Sequence, residues 1–479
     1  MIAPDIVSHA PLSIIDALDD PALFEPWFRG ESWSGWRTIL KGAFALPMTD
    51  QEREFFRSIA ERDPPTKRVR ELWVVAGRRA GKDSIASLIA AYTAALFDGG
   101  DKLRPGERAL CSCLATDRQQ AAIILNYTRS FFADIPLLRD MVRRETANGF
   151  QLDNGVDIAV STNSFRSVRG RPVLAAIFDE CAFWRDETSA SPDEETYRAI
   201  TPGMATMPGA MLIGISSPYK RSGLLFRKFR DHFGKDGDVL VIKAPSMTLN
   251  PTLDQAIIDR AMEDDPAAAS AEWMAEFRTD ISSYISREAV DAALVPDRFE
   301  LPFVPGVRHV AFVDPAGGSG QDAMTIAIAH REKEVGVLDC VREMRPPFSP
   351  DNCVADFATL LAAYGVRTVT GDRWGGEFVR ESFRKHGITY EISERVKSDL
   401  YKELLPLLNS GRVELLDHKR LVAQLCSLER RTARGGKDSI DHPVAQHDDC
   451  ANSVAGALVL AMKPAPTRAY FVPSHLMER

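Results

Sequence analysis

The sequence predicts an α/β protein in two parts, the first built on a mainly parallel sheet and the second on a mixed one. Three observations predict this. Short apolar runs recur between residues 72 and 244: "LWVVA", "ALCSCLA", "VDIAVS", "VLAAIFD", "MLIGIS" and "VLVIKA". Helix-period stretches such as "DRQQAAIILNYTRSFF" separate them. Continuous apolar strands alternating with helices mark a parallel sheet covered on both faces. From about residue 250 to 295 the texture turns helical and charged, as in "LDQAIIDRAMEDDPAAASAEWMAEFRTD". A second α/β stretch then begins at "VRHVAFVDPAGG" and runs through "KEVGVLDCVREM" and "VRTVTGDRW" to the helix pattern "DDCANSVAGALVLAM". Two hairpin-like strands, a further strand and helices suit a mixed sheet.

The expected layout follows. Residues 1–70 are aromatic and helical, with Trp27, Trp33 and Trp36 packing a small layer. Residues 71–248 form the first core, 249–300 a helical connector, 301–463 the second domain, and 464–479 a proline-containing tail. A chain of 479 residues, 45% hydrophobic and 26% charged, has room for two or three ordinary globular cores. No apolar run approaches the roughly 18 residues of a membrane span; Val454 to Met462 stops well short. Asp5, Asp16, Asp19 and Asp20 stand where a secretory signal would carry basic residues, so secretion is not expected. Seven scattered cysteines, of which only Cys111 and Cys113 lie close together, suit a reducing cytoplasm better than a disulfide framework. The net charge of −8 does not exclude nucleic acid, because screening makes local patches matter more than the total. Basic residues cluster at Arg166, Arg169 and Arg171, at Lys220, Arg221, Arg227, Lys228 and Arg230, and at Arg430, Arg431, Arg434 and Lys437. Any one such cluster is more often a solvated face than a DNA contact.

The stretch "ELWVVAGRRAGKDSIASLIAAY" has the layout of a phosphate-binding loop: a strand, a small basic turn, then a helix. Such a loop needs converging backbone N–H groups, a helix N-terminus and a lysine for the β- and γ-phosphates. Gly77, Arg78, Arg79, Ala80 and Gly81 supply the turn, Lys82 the cation, and Ser84 onward the helix. The pattern G-x-x-x-x-G-K-[ST] is broken twice, by Ala76 at the first glycine and by Asp83 at the Mg²⁺-binding hydroxyl. Alone, a Gly-Lys pair after a strand is common.

Two downstream elements sharpen the reading. "VLAAIFDECAFW" is a buried strand ending in adjacent carboxylates. Asp179 suits a Mg²⁺ ligand, and Glu180 suits the general base that polarises water. "MLIGISSPYKRSG" ends a strand in Ser216, Ser217 and Pro218, where ligands of parallel sheets bind. The bland alternatives are an acidic helix cap and a Ser-Pro turn.

In the second region Asp314 closes "HVAFVD", Asp372 closes "VRTVTGD", and Asp448 and Asp449 open the last long helix. Carboxylates from separate strand ends repel unless divalent cations neutralise them. A pair of Mg²⁺ or Mn²⁺ ions is the standard arrangement for cleaving phosphodiesters. Asn452 lies one turn beyond Asp448 and Asp449 on the same face. His442 and His447 lie nearby, and the surrounding oxygen donors favour supporting or DNA-contact roles for them over zinc ligation.

In order, these segments resemble the large terminase subunit of tailed bacteriophages, the DNA-packaging motor with an ATPase and a nuclease domain. The resemblance spans nearly the whole chain: the Trp-rich entry, "AGRRAGKD", "VRGRPVLAAIFDECAFW", "SSP", "DPAAASAEWMAEFRTD", "VDPAGG", "GDRWGG" and "GGKDSIDHPVAQHDDCANSVAGAL". It implies an N-terminal P-loop ATPase of the ASCE type and a C-terminal RNase H-like nuclease. Lys82 would be the phosphate-loop lysine and Arg78 an arginine acting in cis on the γ-phosphate. Asp179 would be the Mg²⁺ acid, Glu180 the catalytic base, and Ser216-Ser217-Pro218 the coupling motif. Gln51, after "LPMTD", falls loosely where an adenine-reading glutamine is expected. Asp314, Asp372 and Asp449 match the nuclease acids, with Asp448 a competing ligand, and the "SVRGRP" turn would touch DNA or a neighbouring subunit.

The resemblance further implies ATP and Mg²⁺ at the first site, and Mg²⁺ or Mn²⁺ at the second. Its implied partners are double-stranded DNA, a small terminase subunit and the portal of a procapsid, with a ring on the portal and a monomer in isolation. The setting would be a bacterial cytoplasm, with no membrane. The family usually has Ser or Thr at the position of Asp83. Competing readings are an ATPase-nuclease of repair or helicase type, and a domesticated prophage or gene-transfer remnant that acts mainly as a scaffold.

Overall fold

In a computed structural model the described residues are 12–98, 102–162, 170–186, 189, 191–373, 376–432, 438–443 and 446–463. Two compact units divide the chain, with the main boundary between Ser282 and Ser283. That boundary falls inside the segment expected to be a connector. The expected tail, Ser167, Val168 and Arg169 of "SVRGRP", and Trp374 and Gly375 of "GDRWGG" lie outside the described residues.

The first unit opens with helices α1 (Ile14–Asp19), α2 (Ser34–Ala43) and α3 (Asp50–Ala60). Ser13 and Thr49 start α1 and α3 with capping boxes, each closed by an acid three residues on. Alternation then follows: β1 (Glu71–Ala76), α4 (Lys82–Ala95), β2 (Ala109–Ala115), α5 (Arg118–Asp134) and α6 (Pro136–Arg139). Next come β3 (Val142–Thr146), β4 (Gly149–Leu152), β5 (Val156–Thr162), β6 (Val173–Asp179) and α7 (Pro192–Ala205). The unit finishes with β7 (Met211–Ser216), α8 (Gly223–His232), β8 (Val239–Ala244), α9 (Ser246–Leu249), α10 (Gln255–Asp264) and α11 (Pro266–Met274).

The eight strands lie in the order β3-β4-β5-β2-β6-β7-β1-β8. From β5 to β8 all pairings are parallel, and β1, β2, β6 and β7 are almost wholly buried. The sheet is mainly parallel, as expected, and at one edge β3 and β4 add antiparallel strands. Exposed, charged β3 ("VRRET") carries no apolar run to announce it, as befits an edge strand. Placing β7 between the loop strand β1 and the acidic strand β6 is the strand insertion of the ASCE class.

A short strand β9 (Ile281–Ser283) marks the passage to the second unit, which holds α12 (Arg287–Ala293), β10 (His309–Asp314), β11 (Met324–Glu332) and β12 (Val335–Met344). It continues with α13 (Pro350–Ala363), β13 (Thr368–Gly371), α14 (Gly376–Lys385), β14 (Thr389–Ile392), α15 (Lys397–Asn409) and β15 (Val413–Glu414). Last come α16 (Lys419–Ser427), β16 (Glu429–Thr432), β17 (Asp438–Asp441) and α17 (Asp449–Met462). Its main sheet has the order β14-β13-β10-β11-β12-β15. Strands β10, β11 and β12 are antiparallel neighbours, while β13 and β14 join in parallel. This is a mixed, RNase H-like sheet. Two apolar clusters cover its faces, one built largely on α15 and α17, the other on α13 and α14.

Helix α17 is buried on nearly every side because its residues are small: Ala451, Ala455, Gly456 and Ala457. A Cβ on Gly456 would stand 2.2 Å from the Phe312 ring of β10, so only glycine permits this approach. Overpacking of this kind costs about 1–3 kcal/mol. Gly456→Ala should therefore lower the midpoint of the second unit's thermal transition, read by calorimetry, and leave that of the first unit unchanged.

Candidate functional site

In the first unit the loop between β1 and α4 is held by its surroundings as much as by its own sequence. Gly81 adopts φ +87 at the N-cap of α4, and Arg79 is also left-handed, at φ +60. Trp36 donates from its ring nitrogen to the Ala80 carbonyl at 2.6 Å, and Asn250 donates to the Arg79 carbonyl at 2.8 Å. A Cβ on Gly77 would meet Ser246 Oγ at 2.1 Å and the Glu272 and Trp273 carbonyls within 2.9 Å. Gly77 is thus required by packing, whereas Ala76 simply ends a buried strand.

Lys82 is buried, and its ammonium donates to the Ala76 and Gly77 carbonyls, both at 3.1 Å, and to Ser217 Oγ at 3.2 Å. Glu180 Oε1 lies 3.5 Å from the same nitrogen. The backbone turns sharply at Glu180 (φ +47, ψ 41), a left-handed conformation uncommon for a side-chain-bearing residue. Its N–H donates to the Ile215 carbonyl, while Oε2 accepts from Ser216 Oγ and from the Ser217 N–H, both at 3.1 Å. Pro218 follows, buried. Asp179 is fully buried; Oδ2 accepts from Gln120 Nε2 at 3.0 Å and Oδ1 has no partner. Burial first, then the charges of Asp83 and Glu180, push the Asp179 carboxyl up to about 8. Burial also raises Asp83, with Lys82 opposing. Asp83 therefore faces the same acidic pocket, and the orphaned Oδ1 of Asp179 with two further carboxylates suits a hard cation such as Mg²⁺.

Other expected residues stand apart. Arg78 reaches Glu272 at 3.5 Å with its side chain largely exposed, and no contact ties it to Lys82 among the described residues. Arg79 is exposed, Ser84 is half-buried in the first turn of α4, and Gln51 is exposed in the first turn of α3. Gln120 and Glu272 were not singled out by the sequence, and Trp36 was expected only to pack a helical layer, because only folding brings these residues to the loop.

In the second unit Val313 pairs with Gly371 across parallel strands, so Asp314 and Asp372 leave neighbouring strand ends together. Asp449 begins α17, and Asp448 holds the N-cap position without a side-chain capping bond. Asn452 donates to Asp372 Oδ2 at 2.8 Å, one turn into the helix. Asp449 Oδ2 accepts from the Ala323 N–H at 2.9 Å, and its carbonyl accepts from Thr325 Oγ1. Both oxygens of Asp448 are engaged: Lys397 Nζ at 3.1 Å and Tyr401 Oη at 2.7 Å. Asp449 keeps an oxygen for a metal more readily than Asp448 does. His447 Nδ1 lies 2.8 Å from Asp322 Oδ1, and His442 contacts the Pro443 carbonyl at 2.8 Å.

Burial and then Asp372 raise Asp314 far above the carboxylate range; burial raises Asp372; burial, with Asp448 adding, raises Asp449 to about 6. Burial is the larger cause of these shifts and repulsion between the acids the smaller, and divalent cations would offset both. Asn452 Oδ1 is also buried without a partner beside these acids. Lys397 and Tyr401, invisible as site residues in the sequence, arrive from α15.

The basic clusters have mixed fates. Lys228 is buried against Glu71 at 2.6 Å and Arg227 pairs with Glu194 at 2.6 Å, so these two serve the fold, while Arg230 pairs with its neighbour Asp231 at 2.7 Å on the surface. Arg171 pairs with Asp157 at 2.6 Å, and Arg431 lies 3.4 Å from Glu429. Arg166, Arg169, Arg434 and Lys437 lie outside the described residues. Among the described residues no helix is long and apolar enough to cross a membrane.

The raised carboxyl of Asp179 has a consequence for stability. Between the ordinary aspartate value and about 8 the folded state holds a proton that the unfolded chain releases, so stability falls as pH rises through that window. Without divalent cations, Asp179→Asn should flatten this decline and raise the first unit's melting temperature at pH 8. Melting curves at pH 5 and pH 8 check it; an unchanged slope contradicts the burial of this charge.

No family model matches the chain, and no curated protein matches it. Solved structures do. The large terminase of bacteriophage HK97 is 17% identical, with a TM-score of 0.39, over 89% of this chain and 99% of that one. A large terminase from a thermophilic bacteriophage, in complex with ADP, is 14% identical, with a TM-score of 0.33, over 81% and 93% respectively. The large terminase nuclease of thermophilic phage G20c with bound magnesium is 20% identical, with a TM-score of 0.32, over 37% of this chain and 98% of that one. The structural neighbours of this chain are bacteriophage large terminases.

Proposed function

We propose that the chain is a large terminase subunit: an ATPase that drives double-stranded DNA into a procapsid, joined to a metal-dependent endonuclease that cuts concatemers. The observation that carries this reading is the buried constellation of Lys82, Glu180, Ser216 and Ser217, with Asp179 behind it. Lys82 and the loop N–H groups would hold the phosphates of ATP. Asp179 and Asp83 would hold Mg²⁺, which supplies charge neutralisation at the transferring phosphoryl group. Glu180 would accept the proton of the attacking water. Ser216 and Ser217 bond to Glu180 and Lys82 at once, so a change at either charge reaches the strand end of β7 and then Pro218. In this reading they couple hydrolysis to movement.

At the second site Asp314, Asp372 and Asp449 would hold Mg²⁺ or Mn²⁺, which supplies an activated water and stabilises the leaving oxygen. Asn452 orients Asp372, and the Ala323 N–H orients Asp449. Lys397 and Tyr401 would keep Asp448 as a fixed support for the N-terminus of α17. The partners of this reading are DNA, a small terminase subunit and a portal, with subunits arranged as a ring on the portal in a bacterial cytoplasm.

Two substitutions separate the activities. Glu180→Gln should reduce ATP turnover by about 10²-fold or more while nucleotide binding persists; sustained hydrolysis removes Glu180 from the role of base. Asp314→Asn should stop Mn²⁺-dependent plasmid nicking and spare ATP hydrolysis; cutting that survives it overturns the nuclease assignment. Asp83 adds negative charge where the family usually has a hydroxyl. Asp83→Ser should therefore lower the KM for Mg-ATP in steady-state assays, and an unchanged KM contradicts the repulsion inferred from its setting.

A further inference from the structure

A third polar cluster lies in the second unit, away from the acidic strand ends. His309 opens β10 directly across from His330 on β11, with the rings 5.4 Å apart. Asp339 reaches them through an irregularity in β12. Pairing steps from Ala329–Leu338 to Ile328–Cys340, so Asp339 is left without an opposite residue on β11. An inserted residue of this kind re-aims side chains locally. Leu338 and Val341 consequently pack in one apolar cluster while Cys340 packs in the other.

All three side chains are buried, with exposures of 1% for His309, 1% for Asp339 and 9% for His330. His330 Nδ1 lies 2.7 Å from Asp339 Oδ1. His309 Nε2 stands 3.7 Å from Asp339 Oδ2, beyond hydrogen-bond reach. Neither ring nitrogen of His309, nor Asp339 Oδ2, has a hydrogen-bond partner in good geometry. Phe303 lies tilted and Tyr364 edge-on to the His309 ring, with centroids 5.4 and 5.5 Å away, so the surroundings of His309 are largely aromatic. Unsatisfied buried polar atoms are costly, and such a concentration calls for a missing partner.

One ligand atom from each residue lies within 4.8 Å of the others. A tetrahedral zinc ion with bonds of about 2.0–2.1 Å sets its ligand atoms about 3.3 Å apart, between the two separations found here. Two imidazoles and one carboxylate suit Zn²⁺, whereas Mg²⁺ and Ca²⁺ favour oxygen alone. We propose that His309, His330 and Asp339 form a zinc site that ties β10, β11 and β12 together. Water would have to supply the fourth ligand of a tetrahedral ion. Metal would bind the neutral form of each imidazole. The site is separate from the acidic cluster: His309 and Asp314 stand five residues apart on one strand, or about 17 Å at 3.4 Å per residue.

The test uses the full chain carrying Asp314→Asn and Asp449→Asn, which removes competing metal binding at the acidic site. After chelation, it is reloaded with Zn²⁺ or Co²⁺ and desalted. The expected result is about one zinc retained per chain, a raised melting temperature with Zn²⁺, and intense visible absorption from tetrahedral Co²⁺. His309→Gln and Asp339→Asn, each added to this parent, should lose all three. Equal zinc retention in the His309→Gln chain, or a folded parent without the Co²⁺ bands, overturns the site and leaves a neutral polar cluster in its place. Should Asp339→Asn fail to fold, the parent's Co²⁺ titration decides alone.

Discussion

Burying a carboxylate among other carboxylates is the constraint on which both units turn. Asp179 in the first unit is fully buried, Asp314 in the second is half-buried at its strand end, and both have like charges beside them. A protein interior tolerates that arrangement only with protons, ammonium groups or metal ions close by. In the first unit Lys82 is such a partner, and its own burial is tolerable because Glu180 and two loop carbonyls surround it. In the second, Lys397 pairs with Asp448 and Asn452 donates to Asp372, yet Asp314, Asp372 and Asp449 all stay raised. The rest of each unit can be understood as the scaffold that keeps these groups together against their repulsion.

That scaffold works through rigid elements. Parallel strands β1, β6 and β7 end at the same edge, so a loop, a pair of acids and a pair of serines meet without any long side chain reaching across. In the second unit the register of β10 with β13 does the same for Asp314 and Asp372, and α17 brings its N-terminus to them. The close approach of α17 depends on Gly456 over Phe312. Backbone positions fix these acids, which is the precision that metal-assisted chemistry needs.

Asp83 changes character in this setting. As a letter in a motif it is a defect where a hydroxyl belongs. In the fold it is a third carboxylate facing Asp179 and Glu180, and burial holds its own proton more tightly than usual. Arg78 changes in the opposite direction. Its place in the loop suggests phosphate contact, yet its side chain is turned to Glu272 and largely exposed.

The sequence by itself determined the strands and their ends, because buried parallel strands need unbroken apolar runs and Asp179, Asp314 and the Ser216-Ser217 pair punctuate those runs. It also determined the loop, through glycines at positions that admit no side chain or require left-handed backbone. It did not disclose edge strand β3, which is polar, or the partners that arrive from distant elements: Trp36, Gln120, Lys397 and Tyr401. Nor did any spacing bring together His309, His330 and Asp339, since their meeting rests on a cross-strand register and one irregular step in β12. Local pattern fixes which residues form a strand, but which side chains face one another is decided by strand order and register, and these exist only in the folded chain.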